Sequence, residues 1–242
     1  MRAIVVLLVL GATSLAGPAR AYDPNDPANC IGRDWDDAQP LTVAKVVARP
    51  RVNFVKSPYD DDFKADTCPA ATAACRKASY LVTGDLVLVG RTHGEFTCAS
   101  YLSPKTGKSN KAPGWIRDWL PSAALAPVAA AAAPGPSDWI GSWEQRYAGI
   151  EIKPGGFGGR LQIEGIAAYP TARDFHTGAI DAQVVPGRDS IALLNDGWLP
   201  FETQCDSGCR VRMHRVGPLL LVEDNGGCGG LGVTFTGLYH RK

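Results

Sequence analysis

The stretch from Pro121 to Pro136, PSAALAPVAAAAAPGP, constrains this chain more than any other feature. Alanine alone favours helix, but prolines on both sides break the run and it has no polar face. Residues 121–137 therefore read as an extended or partly helical linker. A 242-residue chain cut there leaves a unit of roughly a hundred residues on each side. Each unit must bury its own modest core. The cut also parts the seven cysteines, with Cys30, Cys68, Cys75 and Cys98 before it and Cys205, Cys209 and Cys228 after it.

The compartment decides what those cysteines are for. Arg2, the apolar run Ala3 to Leu10 and the small-residue site Ala19-Arg20-Ala21 make residues 1–21 an expected signal peptide. The apolar run is too short to span a bilayer, no other run approaches that length, and no cysteine follows the cleavage site to carry a lipid. A soluble periplasmic or secreted protein is expected. Removing the leader's two arginines takes the formal net charge from +1 to −1. That lacks the electrostatic footprint of a nucleic-acid binder, so neither a nucleic-acid partner nor membrane spanning is expected.

In an exported chain the cysteines read as disulfides. Cys205, Cys209, His214 and Cys228 offer four zinc donors, but one side lacks the usual short pair spacing, and no metal or cofactor is expected. Cys209 and Cys228 bracket an expected hairpin over 210–215 and 218–223, which brings their backbones together. A Cys209–Cys228 bond is expected, with Cys205–Cys228 as competitor. In the first half Cys68 and Cys75 staple a loop, which leaves Cys30 for Cys98, one of three possible pairings.

Both halves read as β. Residues 22–120 hold extended segments from Leu41 to Val55, interrupted by Pro50, then Tyr80 to Val82, Leu86 to Gly90, Phe96 to Leu102 and Gly114 to Ile116. Residues 138–242 hold candidate strands at 143–153, 160–168, 178–185, 190–194, 209–215, 218–223 and 232–240, divided by turn residues. Ile150-Glu-Ile-Lys and Leu161-Gln-Ile-Glu alternate with period two, as half-buried strands do. Leu219-Leu-Leu-Val is apolar throughout and belongs at a sheet centre. A small antiparallel barrel, which leaves no exposed edge, is the expected form of this half.

Val52-Asn53-Phe54 with Pro58, Gly84-Asp85 leading an apolar strand, and Gly114-Trp115-Ile116 with Leu120 resemble a bacterial SH3-like (SH3b) domain. Gly141-Ser142-Trp143 resembles the Gly-x-Trp opening of lipocalin-like and avidin-like barrels. The stretch from Leu221 to Gly230, ending in Gly237-x-Tyr239-x-Arg241, makes the whole chain similar to uncharacterised exported bacterial proteins that pair an SH3b domain with a C-terminal β domain. The resemblance implies an all-β fold of two small barrels. The expected function is non-enzymatic binding of a peptide, a cell-wall component or a protein partner of the envelope.

Candidate sites follow from residue type. Trp115 and Trp119, four apart on the closing strand, and Tyr101 are expected aromatic contacts, and Phe157 in Gly155-Gly-Phe-Gly-Gly159 is a candidate on a hairpin tip. His176 beside Asp174 or Asp181 offers a general base for a hydrolase, the rival reading, and a projecting 155–159 loop suits a lysozyme-type inhibitor. Gly227-Cys-Gly229-Gly-Leu-Gly232 matches a dinucleotide pattern, but Val233-Thr-Phe-Thr is not helical, so it reads as a tight turn. Asp60-Asp61-Asp62 lacks a calcium loop's glycine and final glutamate, and reads as a solvated acidic loop.

Overall fold

The computed structural model describes residues 23, 26–30, 41–63, 65, 67–102, 115–129, 134–156, 158–171, 173–195, 201 and 208–242. The signal-peptide expectation, Phe157 and Cys205 lie outside these residues, as does the side chain of Trp115. The protein is all-β, with 55% of the chain in strands and 5% in helix.

The first unit is a seven-stranded sheet. Its strands are β1 (Thr42–Val46), β2 (Arg51–Val55), β3 (Arg76–Val82), β4 (Leu86–His93), β5 (Phe96–Leu102), β6 (Trp115–Pro121) and β7 (Leu125–Pro127). The spatial order is β3-β2-β6-β5-β4-β1-β7. A short helix, α1 (Asp60–Phe63), follows β2, and a 3-10 turn at Ser122–Ala124 precedes β7. The expected linker thus begins as structure, because Leu125–Pro127 pairs with β1. Val46, Phe54, Leu81, Val87, Ala99 and Leu120 form the core of the sheet. A satellite cluster of Cys30, Val55, Cys75, Phe96 and Trp119 holds the N-terminal arm, fastened by the Cys30–Cys98 bond.

A four-residue helix, α2 (Pro136–Trp139), leads into the second unit. Its eight strands are β8 (Gly141–Gln145), β9 (Ala148–Pro154), β10 (Leu161–Pro170), β11 (Phe175–Val184), β12 (Ser190–Leu194), β13 (Arg210–Val216), β14 (Leu219–Asp224) and β15 (Gly237–Arg241). They run as an antiparallel meander from β8 to β11 and from β12 to β15, and β15 pairs back onto β8 through His240–Glu144 and Arg241–Trp143. The barrel is nearly closed. No ladder joins β11 to β12 among the described residues; instead the Asn195 amide accepts from Asp181 N–H at 2.7 Å and donates to the Ala179 carbonyl at 3.1 Å, in place of a strand residue. The expected strand 143–153 is really two, joined by the tight turn Arg146-Tyr147, in which neither glycine nor proline marks the reversal.

Alternation places the core as expected. Ile150, Ile152, Leu161, Ile163, Val211, Met213, Leu220 and Val222 point into the barrel with Trp143, Phe235 and Tyr239, so side chains fill its interior. Trp143 is fully buried, and the Arg215 and Arg241 guanidiniums lie 4.6 and 4.8 Å from its ring centroid. Both arginines donate to the Asp138 carbonyl at the end of α2. Cys209 and Cys228 are bonded, as are Cys68 and Cys75, so all three expected pairings are present.

β14 is buried on both faces. Its other face meets the first sheet, where Leu41, Val43 and Leu88 pack on Val216 and Leu221. Each buried aliphatic side chain in such a contact contributes about 2 kcal/mol. Leu41 N–H also donates to the Glu223 carboxylate, which has no exposed surface and stands 3.8 Å from the Arg212 guanidinium. Burial lowers the pKa of His214 on the same face, and Glu223 partly offsets that.

Candidate functional site

Where the two sheets diverge from this contact they leave a cleft of about 390 Å³. The first sheet supplies Gly84 and Asp85 from the turn after β3, Leu86 and Leu88 from β4, and Ser100, Tyr101 and Leu102 from β5. The barrel supplies Gln145 and Arg146 from the β8–β9 turn, Leu219 from β14, and Leu238 and His240 from β15. Five leucines give it an apolar lining, with hydroxyl, amide and charged groups around them. That composition is characteristic of small-ligand sites.

Local geometry holds the polar groups in place. Asp85 accepts from the Val82 N–H at 2.8 Å, which closes the turn around Gly84, whose φ of +100° favours glycine. Burial raises the Tyr101 phenol pKa, and the nearby Asp85 carboxylate raises it further. Ser100 Oγ accepts from the Arg117 Nε–H at 3.1 Å. On the barrel side, Tyr239 is fully buried and donates its hydroxyl hydrogen to the Phe235 carbonyl at 2.8 Å. That oxygen must therefore accept from Gln145 Nε2 at 3.1 Å, which orients the amide. The amide oxygen in turn lies 2.2 Å from where a Cβ on residue 237 would be, so Gly237 leaves the room this amide position needs. Gly237 and Tyr239 thus gain a physical role: together they position Gln145.

A smaller cavity of about 50 Å³ shares Leu102 and Gln145 with the first and adds Tyr147, Ala168, Tyr169, Gly232 and Thr234. Arg146 lies over the Tyr147 ring at 5.1 Å, and Tyr169 stacks on His176 at 6.5 Å. The larger of the two cavities is the groove between the two units.

Of the expected aromatic contacts, Tyr101 lines this groove. Trp119 corrects its expectation: it has no exposed surface, and its Nε1–H donates to the Ala28 carbonyl at 2.9 Å, so it belongs to the core. His176 sits on the barrel rim with Nδ1 at 2.7 Å from the Leu231 carbonyl, and Asp174 accepts from its neighbour's N–H, Phe175, at 2.8 Å. The Cys209–Cys228 bond removes two donors from the considered zinc set, and among the described residues no group of three or more His, Cys, Asp or Glu is placed to hold a metal. Asp60 and the β6 residue Asp118 converge on Lys77 at 3.0 and 2.6 Å, and Asp61 meets Lys56 at 2.5 Å, so both Asp60 and Asp61 of the acidic segment face lysines.

Sequence reasoning missed Gln145, Arg146, Leu219, Leu238 and His240. The only trace of them was the Gly237-x-Tyr239 pattern, because the cleft exists only once β14 and β15 dock on the first sheet. Comparison with family models, with curated proteins and with solved structures finds no match to this chain.

Proposed function

We propose that this is an exported, non-catalytic binding protein of the periplasm or the secreted fraction, which holds its ligand in the cleft between its two β units. The observation that carries the reading is the cleft itself. It has an apolar floor of Leu86, Leu88, Leu219 and Leu238, and a rim on which Asp85, Tyr101, Gln145, Arg146 and His240 converge from both units. Three disulfides fit an oxidising compartment. The first unit is in this reading an SH3-like barrel and the second a lipocalin-like or avidin-like one. Supporting this, Gly141-Ser142-Trp143 lies on the first strand of an eight-stranded meander. With the barrel interior filled, recognition falls to the border groove. Its ligand is an envelope peptide, a cell-wall component or a protein segment.

The test is photo-crosslinking from within the exported protein. A benzophenone amino acid at position 101 is expected to give a discrete adduct with an envelope component. The same group at position 188, an exposed turn of the barrel, is expected to give none. Equal labelling from both positions, or none from 101, contradicts the reading.

A further inference from the structure

Among the described residues the molecule has one long strand edge without a partner strand. The end strands of the barrel, β11 and β12, face each other across the Asn195 seam. At one end of the first sheet, β7 is three residues long and finishes in Pro127. Short strands and prolines guard sheet edges against pairing. At the other end stands β3, seven residues long, with a neighbour on the β2 side only and no proline. Its one lysine does not guard the edge, because Lys77 reaches back across β2 to Asp118 on β6.

Hydrogen bonds near the ends of β3 show which backbone groups face outward. The Lys77 carbonyl accepts from the Asn53 side-chain amide on β2 at 3.0 Å. Val82 is turned the other way: its N–H donates to the Asp85 carboxylate at 2.8 Å, and its carbonyl accepts from the Asp85 N–H at 3.1 Å. The Arg76 N–H is taken by the Ala73 carbonyl at 3.3 Å. Burial alternates without a break along β3, through the register shift in its pairing with β2. Successive residues of a strand turn their backbone groups to opposite sides, so Ala78 and Tyr80 face outward. The open window thus runs from Ala78 to Tyr80, bounded by turns at Arg76 and Val82, and its centre is Ser79.

This window is self-complementary. A second copy laid antiparallel about a two-fold axis at Ser79 sets Ala78 of each copy opposite Tyr80 of the other. Each of these pairs exchanges both ladder hydrogen bonds, which satisfies every outward group of the window. Ala78, Tyr80 and Val82 lie on one exposed face, so the small alanine falls beside the tyrosine ring. That ring is 49% exposed, and the Arg51 guanidinium stands 4.8 Å from its centroid. Val82 falls opposite Arg76 of the second copy, which brings that arginine to the Asp85 carboxylate capping Val82. Opposite charges therefore meet at both ends of the contact. We infer that two copies of this protein join edge to edge through β3, antiparallel and centred on Ser79, so that their first sheets become one. The contact is small, and the dimer it makes is weak and reversible.

The test is sedimentation equilibrium of the whole oxidised protein from about 10 µM to about 1 mM, where monomer and dimer are expected and nothing larger. Tyr80→Pro removes an outward N–H and none that bonds β2, so it should fold as the parent does by circular dichroism. It should weaken association about tenfold or more, because two ladder hydrogen bonds are lost. Register is read by mild oxidation of single-cysteine variants, with the new bond located by peptide mapping. In Ser79→Cys the two copies face each other at about 4.5 Å between Cα atoms, within disulfide reach, so a covalent dimer is expected. In Val82→Cys the two positions lie about 20 Å apart along the strand, and none is expected. The inference is overturned by a monomer over the whole range, or by species larger than a dimer. It is equally overturned if folded Tyr80→Pro associates as tightly as the parent, or if Val82→Cys crosslinks as readily as Ser79→Cys. Should Tyr80→Pro fail to fold, the two cysteine variants decide alone.

Discussion

At Gly178 there is no room for even a methyl group, since a Cβ would stand 2.1 Å from the Cys228 carbonyl oxygen and 2.9 Å from the Gly229 backbone. The obstacle is backbone held by a disulfide, so it cannot yield as a flexible side chain would. Gly178→Ala is expected to cost about 3 kcal/mol in urea unfolding, well above an ordinary surface change. Asp118 gives a pH prediction. Burial pushes its carboxyl up to about 6, while Lys77 pulls it down and Asp60 adds to the rise. Lys77 is lowered by burial but raised overall by the same two carboxylates, Asp118 first, so the pair is attractive even though Asp118 titrates high. The folded pKa lies above the reference value of 3.8, so the folded state binds the proton more tightly. Stability from this group is therefore greatest at low pH and falls as pH rises from about 4 to about 6. The loss is up to about 3 kcal/mol, at ~1.4 kcal/mol per pH unit. Asp118→Asn should abolish that component, which is read as the difference in urea midpoints between parent and variant from pH 4 to 7. Parallel curves would contradict it.

Among the elements, the seam between β11 and β12 depends on one side chain. Asn195 takes both hydrogen bonds that a ladder would make to Ala179 and Asp181. Asn195→Ala is expected to cost about 1–2 kcal/mol. It should also speed hydrogen exchange at the Asp181 amide while leaving β9 and β14 protected. The seam was not legible in the sequence, because Asn195-Asp196-Gly197 reads first as a turn. The strands themselves were legible wherever one face meets water, as in β9 and β10, since alternation records a single buried face. β14 was legible as central because both of its faces are covered. The β8–β9 hairpin was missed, since Arg146-Tyr147 lacks the turn residues that mark reversals. That omission also hid Gln145 and Arg146. Tyr101 lines the cleft while Trp119 lies in the core, a difference that spacing cannot show because it does not distinguish a groove wall from a core.

Among the described residues, three disulfides each fasten a single unit, and the apolar contact of Leu41, Val43 and Leu88 with Val216 and Leu221 joins the two. Loop length ranks the disulfides: Cys30 and Cys98 are 68 residues apart, and Cys68 and Cys75 only 7 apart. Restricting the unfolded chain gives about 4 kcal/mol for the first and about 2 kcal/mol for the second. Serine replacement of each pair, followed by denaturant unfolding, should show that order. The groove depends on both units, because the first sheet brings Ser100 to Leu102 and the barrel brings Gln145, Arg146, Leu238 and His240. The most direct test is therefore an amide chemical-shift titration of the intact oxidised protein with the ligand recovered by crosslinking at position 101. The account predicts that resonances of Ser100–Leu102 and of Leu238–His240 move together, with one dissociation constant. Shifts confined to one unit, or centred on the open edge of β3, would contradict it.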